Sequence, residues 1–263
     1  MKPPLISVGA RMLCLAPVPR SPQPHSTTST AAAATALGAR IDVGSAGIAP
    51  DVLRLALGAV TCATRLGDIK APPTLTVIDY SLPSVERRLW VFDLSDGTLL
   101  FRDLVAHGRN TGDNIATRFS DSMNSRQSSI GLFVTADTYI GSNGYSLRLD
   151  GLERGFNANA RERAIVMHGA PYVDAKLAAT QGRIGRSWGC PALREAVARQ
   201  VIDTIRGGGV VFSYYPDSNW LKSSRFLNGC ASTSVGWPAS HRWHKKGRPE
   251  ITPTLAVPAL NGS

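Results

Sequence analysis

Apolar positions along the middle of this chain follow a strand-like alternation, broken by helical spacing in only two places. Asp51 can cap a helix, and Leu53, Leu57, Val60 and Thr64 recur behind it at three- and four-residue steps. That pattern predicts a helix stopped at Gly67. The period then changes. Leu75 to Tyr80 and Leu89 to Leu94 read as strands, Asp96-Gly97 as a hairpin turn, and Leu99 to Val105 as the returning strand. Asn143-Gly144 marks a second hairpin, between Thr138-Tyr139-Ile140 and Tyr145 to Leu149. Ala164 to Met167 is a short buried strand that delivers His168 at its end. Pro191 to Ile205 reads as the second helix, closed by Gly207-Gly208-Gly209 and followed by a strand from Val210 to Tyr215. The predicted fold class is mainly β with a few helices, carried by one domain over residues 50–227.

The flanks differ. Residues 1–49 run from Lys2 and Arg11 through a Pro/Ser/Thr stretch to Ala31-Ala32-Ala33-Ala34. A basic start and small residues suit an export signal, but Arg11 and several prolines break the apolar middle that such a signal needs. A non-standard export signal and a disordered low-complexity leader share this pattern. Residues 228–263, rich in Gly, Ser, Pro and basic residues, read as a loosely ordered tail.

Composition narrows the partners. With 263 residues, 43% of them hydrophobic, the chain has enough apolar surface for one sizeable core. No stretch approaches the roughly 20 apolar residues of a membrane-spanning helix. The net charge of +10 suggests nucleic acid until its distribution is read. Residues 1–50 hold four basic residues and one acid, and residues 221–263 hold six and one. The central 170 residues are left with only +2. A nucleic-acid domain carries its basic patch on the folded body, so nucleic acid is excluded as a partner. Basic ends suit proximity to an anionic envelope polymer.

Candidate chemistry centres on Gly182-Arg183-Ile184-Gly185-Arg186-Ser187-Trp188-Gly189-Cys190-Pro191. Pro191 is suited to open a helix, which would put Cys190 at a helix N-terminus where the dipole lowers a thiol pKa. Gly189 and Gly185 permit tight turns, and the N–H groups of Gly189 and Cys190 are candidates for an oxyanion hole. Taken alone, Cys190 is equally readable as a buried structural cysteine. His168-Gly169 changes that balance. It ends a strand 22 positions before Cys190, where an imidazole can serve a thiolate as base. Papain-like enzymes place the cysteine first, and sortases need an arginine after it on a strand. Among the other cysteines, Cys14, Cys62 and Cys230, no Cys-x-x-Cys pair occurs, so no metal and no cofactor is expected. Cys62 and Cys230 are open to pairing in an oxidising compartment.

These residues resemble the L,D-transpeptidase catalytic domain, whose pattern is His-Gly at a strand end and then, some twenty residues on, Ser-x-Gly-Cys. Here these are His168-Gly169 and Ser187-Trp188-Gly189-Cys190. The likeness extends to the murein L,D-transpeptidase branch, over roughly Ile78 to Tyr214. Its landmarks are Asp79-Tyr80-Ser81-Leu82-Pro83-Ser84, Ala106-His107-Gly108, Phe119-Ser120 and Ser128-Ser129-Ile130-Gly131. Two departures stand out. Trp188 occupies a place usually held by His, and Pro191-Ala192-Leu193 replaces the usual polar continuation.

The resemblance implies a β-sandwich or mixed-β catalytic domain acting on peptidoglycan stem peptides in the periplasm or cell envelope. Cys190 would be the nucleophile, His168 the base, and the Gly169 carbonyl the group fixing the imidazole tautomer. Ser187 would support the loop. Apart from the resemblance, Trp188 either covers the intermediate with a large apolar face, to which Tyr172 can add, or packs into the core. Arg183 and Arg186 are candidates to bind stem carboxylates, and His107 is a candidate pocket wall. Transfer to an amine gives a 3–3 cross-link. Transfer to water gives an L,D-carboxypeptidase or cross-link-cleaving hydrolase with the same residues. A non-catalytic wall-binding module is the alternative of another class, against which the intact Cys190 and His168 argue. Protein partners are not readable from the sequence.

Overall fold

A computed structural model describes residues 41–230. The strands are β1 (Thr74–Asp79), β2 (Leu89–Asp93), β3 (Leu99–Asp103), β4 (Val105–Ala106), β5 (Gly131–Gly141), β6 (Gly144–Gly151), β7 (Val166–Gly169), β8 (Ala192–Leu193) and β9 (Val210–Tyr214). They form one nine-stranded sheet in the order β3-β2-β1-β9-β5-β6-β7-β8-β4. The β1–β9 and β7–β8 pairs are parallel and the other pairs antiparallel. The two outermost strands, β3 and β4, are separated in the chain by Leu104 alone. The sheet is therefore rolled until its edges meet at that residue, which gives sandwich-like packing from a single mixed sheet.

Both faces of the central strands are apolar, and the two-residue period sorts them. Leu75, Val77, Trp90, Phe92, Leu132, Val210 and Phe212 join one core with helix α2 (Pro50–Leu66). Ile78, Leu89, Val91, Phe133, Met167, Leu193 and Val211 join the other with helix α4 (Glu195–Ile205). Helix α2 buries Leu53, Leu57 and Val60 and ends where Gly67 takes a left-handed φ of 78°. Four short helices complete the fold: α1 (Val43–Ala46), α3 (Ala175–Gln181), α5 (Ser218–Ser223) and α6 (Arg225–Asn228). Among the described residues no helix is long and apolar enough to cross a membrane.

Three expectations are corrected. The helix read from Pro191 begins only at Glu195, with Arg194 as its cap. Ala192 and Leu193 are instead strand β8, held between β7 on one side and β4 on the other. Two ladders of backbone hydrogen bonds outweigh the local preference of Pro191 for a helix start. The strand read as Leu99 to Val105 is divided at Leu104, and its last part crosses to the far edge of the sheet. The folded body also reaches beyond residues 50–227. Ile41, Ala46 and Ile48 are buried in the α2 core, and Trp90 Nε1 donates to Ala46 O at 2.8 Å. At the other end Cys230 forms a disulfide with Cys62 of α2, with Cα atoms 5.6 Å apart. The leader up to residue 40, with Cys14 and the segment weighed as an export signal, and the tail from residue 231, with His241 and His244, lie outside the described residues.

Candidate active site

The site forms at the β7–β8–β4 edge. In β7, Met167 points into the α4 core, so His168 points to the other face, where the register sets it opposite Ala192 of β8. Cys190 lies two residues before Ala192. The parallel pairing thus brings the His168 and Cys190 segments side by side. His168 is 4% exposed and its Nδ1 lies 2.8 Å from the Gly169 carbonyl oxygen. A carbonyl only accepts, so Nδ1 carries the proton and Nε2 keeps a free lone pair. Burial pushes the imidazole pKa down, more than the Gly169 contact raises it, which keeps the ring neutral.

Cys190 is 8% exposed, and its thiol donates to Ala164 O at 3.7 Å rather than to the imidazole. Burial pushes its pKa up. The N–H groups of Val166 and Cys190 and the cation of Arg163 act in the opposite direction. The expected depression by a helix dipole does not operate, because no helix begins at Pro191. The resting group is a neutral thiol.

The loop carrying Cys190 is fixed from three directions. Ser187 Oγ donates to Cys190 O at 2.6 Å and accepts from Gly189 N at 3.1 Å. Ser187 N donates to His107 O, and Arg109 N donates to Ser187 O. Ser128 Oγ accepts from Gly108 N and donates to Gly189 O, both at 3.0 Å. Gly189 has a φ of 127°, and a Cβ there would stand 2.8 Å from Gln127 O. The Gly189 N–H is committed to Ser187, while the Cys190 N–H acts on its own sulfur and makes no hydrogen bond to another residue among the described residues.

The remaining candidates are distributed around this centre. Trp188 is 69% exposed, with the Arg126 guanidinium 4.9 Å from its ring centroid, so it is not a core residue. Tyr172 is half-buried, its phenol raised to about 12 by burial and by the neighbouring Cys190. Arg183 and Arg186 both pair with Asp113, at 2.9 and 3.3 Å. Arg186 also lines an open groove of about 620 Å³ with Arg109, Arg118 and Ile115. His107 is fully buried, its Nδ1 accepting from Arg88 Nη2 at 2.8 Å, and burial takes its pKa down to about 4. Its Nε2–H has no hydrogen-bond partner among the described residues. Its side chain braces the fold while its carbonyl holds Ser187.

Sequence reasoning missed Arg163 and gave no role to Ser128. Arg161-Glu162-Arg163 reads as a solvated loop, and nothing in it marks which arginine turns inward. Ser128 stood in a recognised landmark, which signalled its place but not its bond to Gly189.

The sequence model of the L,D-transpeptidase catalytic domain family matches residues 45–214, and the chain belongs to that family. No curated protein matches the chain. Among solved structures, an L,D-transpeptidase from Mycobacterium smegmatis is similar at 15% identity and a TM-score of 0.34, covering 54% of this chain and 59% of that one. L,D-transpeptidase 1 of Mycobacterium tuberculosis is similar at 15% identity and a TM-score of 0.31, covering 54% and 62%. An L,D-transpeptidase from Stackebrandtia nassauensis is similar at 14% identity and a TM-score of 0.34, covering 73% and 80%. The chain thus spans less than two thirds of the first two proteins.

Proposed function

We propose that the protein is a cysteine acyltransferase that forms 3–3 cross-links between peptidoglycan stem peptides in the cell envelope. The observation that carries this reading is the His168–Gly169 contact, which leaves imidazole Nε2 as a base on the strand beside the Cys190 segment. Substrate entry turns the thiol from Ala164 O toward that base. His168 Nε2 takes the S–H proton, and Sγ attacks the carbonyl at the L-centre of diaminopimelate in a tetrapeptide. The Cys190 N–H meets the developing oxyanion. The C–N bond to terminal D-alanine breaks, and His168 returns the proton to the departing amine. An amine of a second stem then loses its proton to His168 and attacks the thioester. The new C–N bond forms as the C–S bond breaks.

Two further features fit this setting. The groove offers the Arg109 and Arg118 guanidinium groups to the carboxylates of a stem, whereas Arg183 and Arg186 are tied to Asp113, which lines the same groove. The Cys62–Cys230 disulfide fits an oxidising compartment outside the cytoplasmic membrane. The test is mass spectrometry of disaccharide-tetrapeptide incubated with purified protein. Cross-linked 3–3 dimers are expected, and none from folded Cys190→Ala. Tripeptide without dimer, even at high acceptor concentration, would identify a carboxypeptidase. Product formation by Cys190→Ala would overturn the nucleophile.

A further inference from the structure

The thiol of Cys190 rests against a short segment, residues 163–166, whose parts are unlike ordinary loop. Ala164 holds a left-handed φ of 52°, which is unusual for a residue with a Cβ, and its carbonyl takes the S–H. Val166 presents its N–H to the sulfur. Arg163 is the third part. Its side chain is only 3% exposed. Nη1 donates to Ser120 O and Ser129 Oγ, both at 2.6 Å. Nη2 donates to Gln127 O at 2.6 Å and Ser125 Oγ at 3.0 Å. Nη2 also stands 3.4 Å from the position a Cβ on Gly189 would take, so the guanidinium backs directly onto the Gly189–Cys190 turn.

The counter-charge is placed on the other side. Asp121 lies 3.8 Å from Nη1, and its carboxylate accepts from Asn159 N at 3.1 and 3.2 Å. The Nη2 end, facing Gly189, meets only neutral oxygens. A buried cation is costly unless an anion or a full set of acceptors compensates it. The arrangement leaves positive field directed at the turn that carries the sulfur. The other titratable groups around the thiol stay uncharged near neutral pH. Tyr80 and Tyr172 are both raised to about 12, and His168 on β7 is lowered by burial. Glu162 is exposed, and its charge acts on Asp121.

We infer that Arg163 is an electrostatic positioning residue for Cys190, a buried guanidinium that stabilises the thiolate from behind the Gly189–Cys190 turn. This rests on Cys190 being the nucleophile. It assigns to a residue distant from the Ser-x-Gly-Cys motif the role that a helix dipole would otherwise play. The burial of Cys190 opposes ionisation, and Arg163 offsets part of that cost.

The test is the pH dependence of iodoacetamide alkylation, read by mass on the peptide carrying Cys190 in the full-length, disulfide-intact protein. Arg163→Met should raise the alkylation midpoint by about one pH unit or more. Arg163→Lys should recover most of the wild-type value. Asp121→Asn keeps the shape and the Asn159 contact but removes the anion behind Arg163, so its midpoint should fall. Loosening of the surrounding loops would hydrate the thiol and lower the midpoint in every variant, so opposite shifts are specific to charge. An unchanged or lowered midpoint in Arg163→Met overturns the inference. If that variant does not fold, an Asp121→Asn midpoint that stays put or rises overturns it equally. Alkylation requires no transfer chemistry. Shifts as expected in a protein that forms no acyl-enzyme would leave this electrostatic role standing and reject the proposed reaction.

Discussion

Reducing the Cys62–Cys230 disulfide should lower stability far more than it alters the folded structure. Cys62 is 1% exposed within the α2 core, and its packing neighbours remain in place when the bond opens. What changes is the unfolded chain, which regains the freedom of a loop spanning 168 positions. In the chain-entropy account a cross-link over that separation is worth roughly 5 kcal/mol. For a domain of this size each kcal/mol moves Tm by about 2–4 °C, so reduction should cost about 10–20 °C. Thermal unfolding of oxidised and dithiothreitol-treated samples of the same protein makes the comparison, and no residue is altered. Far-ultraviolet circular dichroism at 20 °C should be unchanged by reduction. A Tm difference under about 3 °C would refute the reasoning, because it would mean that the unfolded chain is already restrained without the bond.

Other consequences are checkable. Gly189→Ala forces a Cβ toward Gln127 O at a φ of 127°, and should destabilise the protein by about 1–3 kcal/mol in urea unfolding while removing transfer activity. Burial disfavours the thiolate, so deprotonation of resting Cys190 needs a higher pH than usual. Its alkylation midpoint should lie above the ordinary thiol value of about 8.5, and a midpoint below it would contradict the buried setting. Trp188 is exposed, so Trp188→Ala should leave the urea midpoint unchanged. In the proposed reaction it should raise the ratio of tripeptide to dimer, because a large apolar face beside Cys190 is lost to water.

The sequence made the central strands legible because their two-residue alternation is imposed by burial on both faces. Leu75 and Val77 face one core while Ile78 faces the other. It made His168 and Cys190 legible because the motif spacing is that of a strand end and a following turn. It did not show the state of the thiol. Pro191 carries a strong local helix preference, and only tertiary pairing with β4 and β7 reverses it. The same limit applies to Arg163, where burial depends on five partners from residues 120–129, none of them near it in sequence. The short helices α3 and α5 were missed although Asp174 and Asp217 cap them, since each is too short to show an apolar stripe.

The roll of the sheet also fixes the order in which this molecule can become complete during synthesis. Strand β4, at residues 105–106, has its ladder partner in β8, at residues 192–193. Strand β1 sits beside β9, which ends at Tyr214. A ribosome that has delivered the first three strands has therefore delivered a sheet with its centre missing and its far edge unbuilt. His168 emerges after its neighbour β6 but before β8, its partner on the other side, and Cys190 emerges before the strand that closes the core. Each waits for sequence still to come. A nascent chain holds His168 and Cys190 without the surroundings that join them, and the proposed site is completed late and all at once, with the last strand.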